Sequence, residues 1–149
     1  MLFPFRNDLR KTLIPYLKEL DEVSWNKKSD IYPKSISWII AHIAQSEDFW
    51  VNTVCFKSDT TLTITEKSKS SEILKGYIDI RNHTDKLLQS LDPTILDEVV
   101  TVPTFSDGWV PPSKPTVNWL FHHVYTHEAY HVGQIAIIAK LNELQKPLF

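Results

Sequence analysis

At 149 residues, with 42% apolar and 23% charged side chains, the chain has the size and composition of one globular domain, expected to span 1–149 with room for a real core. A net charge of -2 and no basic run argue against a nucleic-acid surface, and no apolar stretch reaches the roughly 18 residues of a membrane span. Cys55 is the only cysteine, which excludes an internal disulfide framework, and the opening MLFPFRNDLRK lacks the layout of a signal peptide, so a cytoplasmic protein is expected.

Three glycines are few for a turn-rich β protein, and four stretches carry helical apolar spacing. The first helix is expected from about Arg6 to Glu22, with Leu9, Leu13, Tyr16, Leu17 and Leu20 as its stripe. Pro15 interrupts it and predicts a kink or a late start. The second helix starts near Ser35, a candidate N-cap, and carries Ile36, Ile39, Ile40, Ile43, Trp50, Val51 and Val54 on one face. His42 lies at the edge of that face. Glu47 lies near its middle, anomalous for a carboxylate. It is either exposed at an end or a buried acid beside a metal or polar ligand.

The polar run KSDTTLTITEKSKS, residues 57–70, reads as a long connection. A third helix follows from about Ser71 to Leu91, stopped by Asp92-Pro93. His83 sits beside its stripe with no histidine one turn away, and reads as a surface or half-buried residue. Residues 92–114 form a second long connection. Val99-Val100-Thr101-Val102, then Asp107-Gly108 before Trp109-Val110, predict a short irregular hairpin there. The fourth helix is expected from a Thr116 cap to about Leu144, with Val117, Leu120, Phe121, Val124, Ile135, Ile138 and Ala139 facing inward. Four helices with two long connections predict an all-α four-helix bundle with long crossover connections.

The segment LFHHVYTHEAYHVGQ, residues 120–134, holds four of the six histidines. His123, His127 and His131 recur every four residues, so a helix stacks them along one side. His122 points away and is expected to be exposed. Two neutral imidazoles one turn apart can converge on a single cation. His127-Glu128-Ala129-Tyr130-His131 also spells the H-E-x-x-H of zinc peptidases, in which the glutamate is the general base. The longer form of that motif fails, because Gln134 replaces its glycine and Ile137 its third histidine. Glu143 is the sole acid after His131, and no strand suited to holding a peptide precedes the helix.

A second reading takes the third ligand from the second helix. SISWIIAHIAQSEDFW, with His42, Glu47 and Trp50, and VYTHEAYHVGQIAII, with His127, His131, Gly133 and Gln134, together resemble the DinB/YfiT-like superfamily of metal-binding four-helix bundles. The order, helix placement and separation of the two motifs agree, so the resemblance spans nearly the whole chain. It implies a three-histidine site, His42, His127 and His131, for a divalent metal. Zinc is the first choice for imidazole ligands, with nickel, iron or manganese as other candidates. It also implies a frequent homodimer, for which Gly133, Trp119 and Tyr130 are the outward candidates. Characterised relatives include thiol-dependent transferases, and others are described as metal-dependent hydrolases.

The expected function is therefore a metal-dependent enzyme: a thiol-dependent S-transferase acting on small electrophiles, with a low-molecular-weight thiol as partner. The alternatives are a small-molecule hydrolase using metal-activated water and a non-catalytic metal-binding stress protein. Neither a nucleic acid nor a membrane is an expected partner. Ligating histidines need acceptors that fix their tautomers. Glu47, Glu128 and Gln134 are the nearest candidates, and His123 is placed as a proton shuttle. An enzyme keeps a coordination position open, whereas a structural site closes it with a side chain such as His123 or Glu47.

Overall fold

The computed structural model describes residues 1–149, and all of its regular structure is helical. Four long helices make the bundle: α1 (Asp8–Glu19), α3 (Ile36–Asp48), α4 (Ser70–Ser90) and α5 (Val117–Leu141), with a short α2 (Glu22–Asn26) after α1. Local chemistry sets their ends. The side chains of Asp21, Ser35 and Thr116 each accept a hydrogen bond from the backbone N–H three residues on, satisfying a free donor of α2, α3 and α5. Pro15 lies inside α1 without ending it. The first stripe is shorter than expected because Leu20 is extended and the chain restarts as α2, which buries Trp25.

The second helix keeps its expected face but changes its winding. After Asp48 it continues as a π-helix, Phe49–Cys55, with wider turns that still bury Trp50, Val51 and Val54. The expected hairpin does not form. Asp107-Gly108 does turn, with Gly108 at a φ of 76° and its N–H bonded to the Phe105 carbonyl. The flanking residues do not pair with each other, however. A short 3-10 turn, Pro93–Asp97, takes up Ile95, and Val99 instead bridges Thr116 at the entry to α5. The β-branched run found a partner at the helix cap, and five prolines between Pro93 and Pro115 limit the donors available for a ladder. No helix is long and apolar enough to cross a membrane.

α3 packs chiefly against α4 and α5. The interior is divided in two. One apolar cluster gathers Leu13, Leu17, Ile36, Ile40, Tyr77 and Ile135 with their neighbours, and the other gathers Trp50, Val51, Leu88, Leu120, Phe121 and Val124. A charged layer lies between them, with Arg10 from α1, Glu47 from α3, Arg81 from α4 and Glu128 from α5, all 4% exposed or less.

Candidate metal centre

Two inward helix faces bring the three histidines together. His127 and His131 lie one turn apart on α5, and His42 faces them from α3. The Nε2 of His42 lies 3.2 Å from that of His127 and 3.1 Å from that of His131, and the last two are 3.1 Å apart. Three zinc-bound imidazoles at about 2.0–2.1 Å with tetrahedral angles would have nitrogens roughly 3.3–3.4 Å apart. The triangle is slightly tighter than that and has the right donors, so it could hold a metal ion.

The tautomers suit the task. Gln134, one turn beyond His131, accepts a hydrogen bond from His131 Nδ1 at 2.7 Å, which leaves Nε2 as a lone pair facing the other rings. Burial, then the charges of His131 and Lys34, pull His42 down to about 4; burial, then the three other nearby histidines, pull His127 to about 3. His131 is lowered too, chiefly by burial. At neutral pH all three rings are therefore neutral and able to donate a lone pair. Trp38, one turn before His42, stacks on its ring at 4.9 Å and fixes its plane.

The other residues singled out from sequence divide cleanly. Gln134 touches a ring of the triangle. Glu47 and Glu128 do not; both turn into the charged layer. Glu128 accepts from Arg10 Nε at 2.7 Å, from Arg81 Nη2 at 2.6 Å and from the Tyr77 hydroxyl. Glu47 accepts from Arg81 Nε at 2.8 Å and from Arg10 Nη2 and Arg81 Nη2, each at 3.0 Å. Burial alone would raise the Glu47 carboxyl, but Arg81 and Arg10 outweigh it and hold it below the usual range. The glutamate of the H-E-x-x-H string thus faces an arginine pair, about 100° around the helix from His127, and is not presented as a general base.

His123 lies one turn below His127, with ring centroids 5.9 Å apart, outside the triangle. It is packed in an aromatic box, stacked on Trp119 at 5.0 Å, with Trp50 at 4.8 Å and Trp109 at 5.4 Å. Burial and then His122 lower its pKa. Trp119 therefore faces this box rather than outward. Tyr130 and Gly133 are exposed, with nothing within 4 Å of where a Cβ at Gly133 would stand. His122 is exposed, and His83 bonds Asn52 Oδ1 at 2.9 Å, away from the triangle. Arg10, Arg81 and Trp38 were missed from sequence. Arg10 has a readable signal, sharing the i, i+3, i+7 face of Leu13 and Leu17.

No fourth histidine, cysteine or carboxylate joins the cluster. A recess of about 180 Å³ opens beside His42, between α3 and residues 65–66. A larger cleft of about 360 Å³ lies between α1 and α4. Its arginines, Arg10 and Arg81, are committed to the charged layer and offer a ligand no free donor there.

Residues 7–135 match the DinB superfamily. The Bacillus subtilis (strain 168) protein named "Uncharacterized protein YizA" is 24% identical over 107 residues, which is 72% of this chain and 64% of that protein. The match thus spans less than two thirds of that relative's length. The family match takes in the three inward histidines and nearly all of the bundle around them: the chain belongs to the DinB superfamily.

Proposed function

We propose that the protein is a metal-dependent S-transferase that joins a low-molecular-weight thiol to a small electrophile, with one divalent cation, zinc as first choice, on His42, His127 and His131. The observation that carries the reading is a triangle of three neutral imidazoles with no fourth protein donor. A cation held by uncharged ligands keeps its full charge and would lower the pKa of a thiol brought to the open position.

The chain's own residues supply the rest. Gln134 fixes the His131 tautomer, Trp38 holds the His42 plane, and burial keeps the ligand nitrogens free of protons at neutral pH. The protein offers no competing thiolate of its own. Burial pushes the Cys55 thiol up to about 11, against a smaller pull from Lys57. The thiol must therefore arrive on a cosubstrate. Its sulfur forms the new carbon–sulfur bond, the leaving group departs with its bonding pair, and the thiol proton passes to solvent. The lone unpaired cysteine fits a reducing compartment, which we take to be the cytoplasm.

A hydrolase that activates water is the second reading, favoured by His123, a neutral imidazole one turn from His127. Zinc-loaded protein incubated with a chlorinated aromatic and a panel of cellular thiols, beside ester and amide substrates, separates the two. Conjugation that needs thiol and metal and vanishes in His131→Ala is expected. Ester or amide turnover without thiol replaces the transferase by the hydrolase, and no turnover on a coordinatively saturated metal leaves a binding protein. We further propose a homodimer through the exposed α5 stripe of Tyr130, Gly133, Ile137 and Leu141. A monomer mass by light scattering at micromolar concentration overturns it.

A further inference from the structure

The long connection before α5 is closed at its base and loose at its head. At the base, Val100 N–H donates to the Pro115 carbonyl at 2.8 Å, Val117 N–H donates to the Glu98 carbonyl at 3.0 Å, and Val99 bridges Thr116. The ends of the loop are thus held together, the form of an Ω-loop. Over residues 103–113 the hydrogen bonds are internal, from Gly108 N–H to the Phe105 carbonyl and from Trp109 N–H to Asp107 Oδ1. Pro103, Pro111 and Pro112 stiffen the head, but no hydrogen bond ties it to the bundle. It is attached through rings instead. Phe105 meets Phe49 and Trp50, and Trp109 meets Trp50, Trp119 and His123, with centroids between 5.4 and 6.3 Å apart.

These rings continue into the metal centre. His123 lies 5.9 Å from His127, a member of the triangle, and Trp119 stacks on His123 at 5.0 Å with 11° between the planes. Trp109 is 36% exposed, and Phe105, Trp119, His123 and His127 also reach solvent; Trp50 beneath them is buried. A path of partly exposed rings therefore runs outward from His127, and apart from the imidazoles every ring in it is apolar. The flank of His42 is different, because Trp38 fills it and carries the Lys34 ammonium over its own ring. A ligand that is held by the cation and lies along the His127 path meets ring faces. An ionic group there would lose water without gaining a partner, whereas a flat apolar group gains stacking as well as burial.

We propose that Trp109, Trp119 and His123 form an aryl-binding wall beside the metal position, with the loop head as its adjustable part. A ligand held by the cation lays a planar aromatic group against them. The proposal rests on the metal-centre reading and names a group that the substrate carries, whether it is an electrophile or a hydrolysed ester or amide. Its test is binding, not turnover. Cobalt(II)-substituted protein is titrated with acetohydroxamate, with naphthohydroxamate and with the saturated bicyclic counterpart of the latter, following the cobalt ligand-field bands. Wild type is compared with Trp109→Ala and Trp109→Leu. The leucine keeps apolar bulk and removes the plane, and the melting temperatures of both variants check their folds.

Wild type is expected to prefer naphthohydroxamate to its saturated counterpart, and both variants to reduce that preference by about 3–10-fold, the size of one aromatic pair. Acetohydroxamate, which carries no ring, should bind all three proteins alike. The two bicyclic hydroxamates also differ in acidity, but that difference survives the substitutions, so only the change in preference counts. A preference unchanged in both variants, with acetohydroxamate still bound, overturns the wall and leaves the metal reading standing. No spectral change with any of the three hydroxamates overturns the open coordination position, and the wall with it.

Discussion

Replacing Glu128 by glutamine tests whether the second letter of the H-E-x-x-H string is chemical or architectural. Glu128 is 3% exposed and its two oxygens take charged donors from Arg10 and Arg81. With Glu47 it balances those arginines two against two; the substitution leaves two cations facing one anion. The new amide also directs an N–H at one of the arginine donors. Breaking a buried ion pair by removing one partner costs about 3–5 kcal/mol. At about 2–4 °C per kcal/mol for a chain of this size, the melting temperature should fall by on the order of 10 °C. Urea unfolding and differential scanning calorimetry measure this directly. Elemental analysis at low temperature with saturating zinc should still find one metal per chain, because Glu128 faces away from the triangle. A loss of stability below about 1 kcal/mol, or loss of metal from the folded variant, would refute the reasoning and restore Glu128 to the metal centre.

Metal-free protein should lose stability as pH falls from about 6.5 toward the values of about 4 for His42 and about 3 for His127. In that window the unfolded chain binds protons that the folded rings refuse, so the contribution is complete above the unfolded pKa and lost below it. Glu47, also depressed, adds a second loss beneath the ordinary carboxylate range. Melting curves in chelator from pH 7.5 to 3 check both, and a flat profile contradicts them. His123→Ala should lower stability by about 1–3 kcal/mol by opening the aromatic box, with metal content unchanged; loss of metal would move His123 into the ligand set. Gly76→Ala presses only on the movable Cδ1 end of Ile64 and gains about 1 kcal/mol of helix propensity, so stability should change by less than about 1 kcal/mol. A loss above about 2 kcal/mol in urea unfolding would show that Ile64 cannot move aside.

The helices and the three histidines could be read from the chain because both signals are periodic. Apolar residues and imidazoles at helical spacing identify their faces without knowledge of the neighbours. Glu47 was visible as an anomaly, a carboxylate on an apolar face, but its explanation was not. Its partners Arg10 and Arg81 lie 37 and 34 residues away and meet it only through packing. Each long basic side chain alone reads as a snorkelling surface residue. The expected hairpin failed for a related reason. Val99 has strand propensity, yet its partner was the cap of α5, and propensity carries no information about partners.

The division of the interior by charges acts as a ruler. Two purely apolar slabs of leucine and isoleucine would tolerate one helix sliding past another by a turn, about 5.4 Å, with modest loss. The four-residue layer does not tolerate it, because any slip sets an arginine against aliphatic side chains. The height at which α3 meets α5 is thereby fixed, and with it the convergence of His42 on His127 and His131. Exchanging all four charges for apolar residues of similar volume should raise the melting temperature, by about 1–4 kcal/mol of added stability. The same exchange should weaken metal binding, as α3 and α5 lose the register that draws three nitrogens to one point.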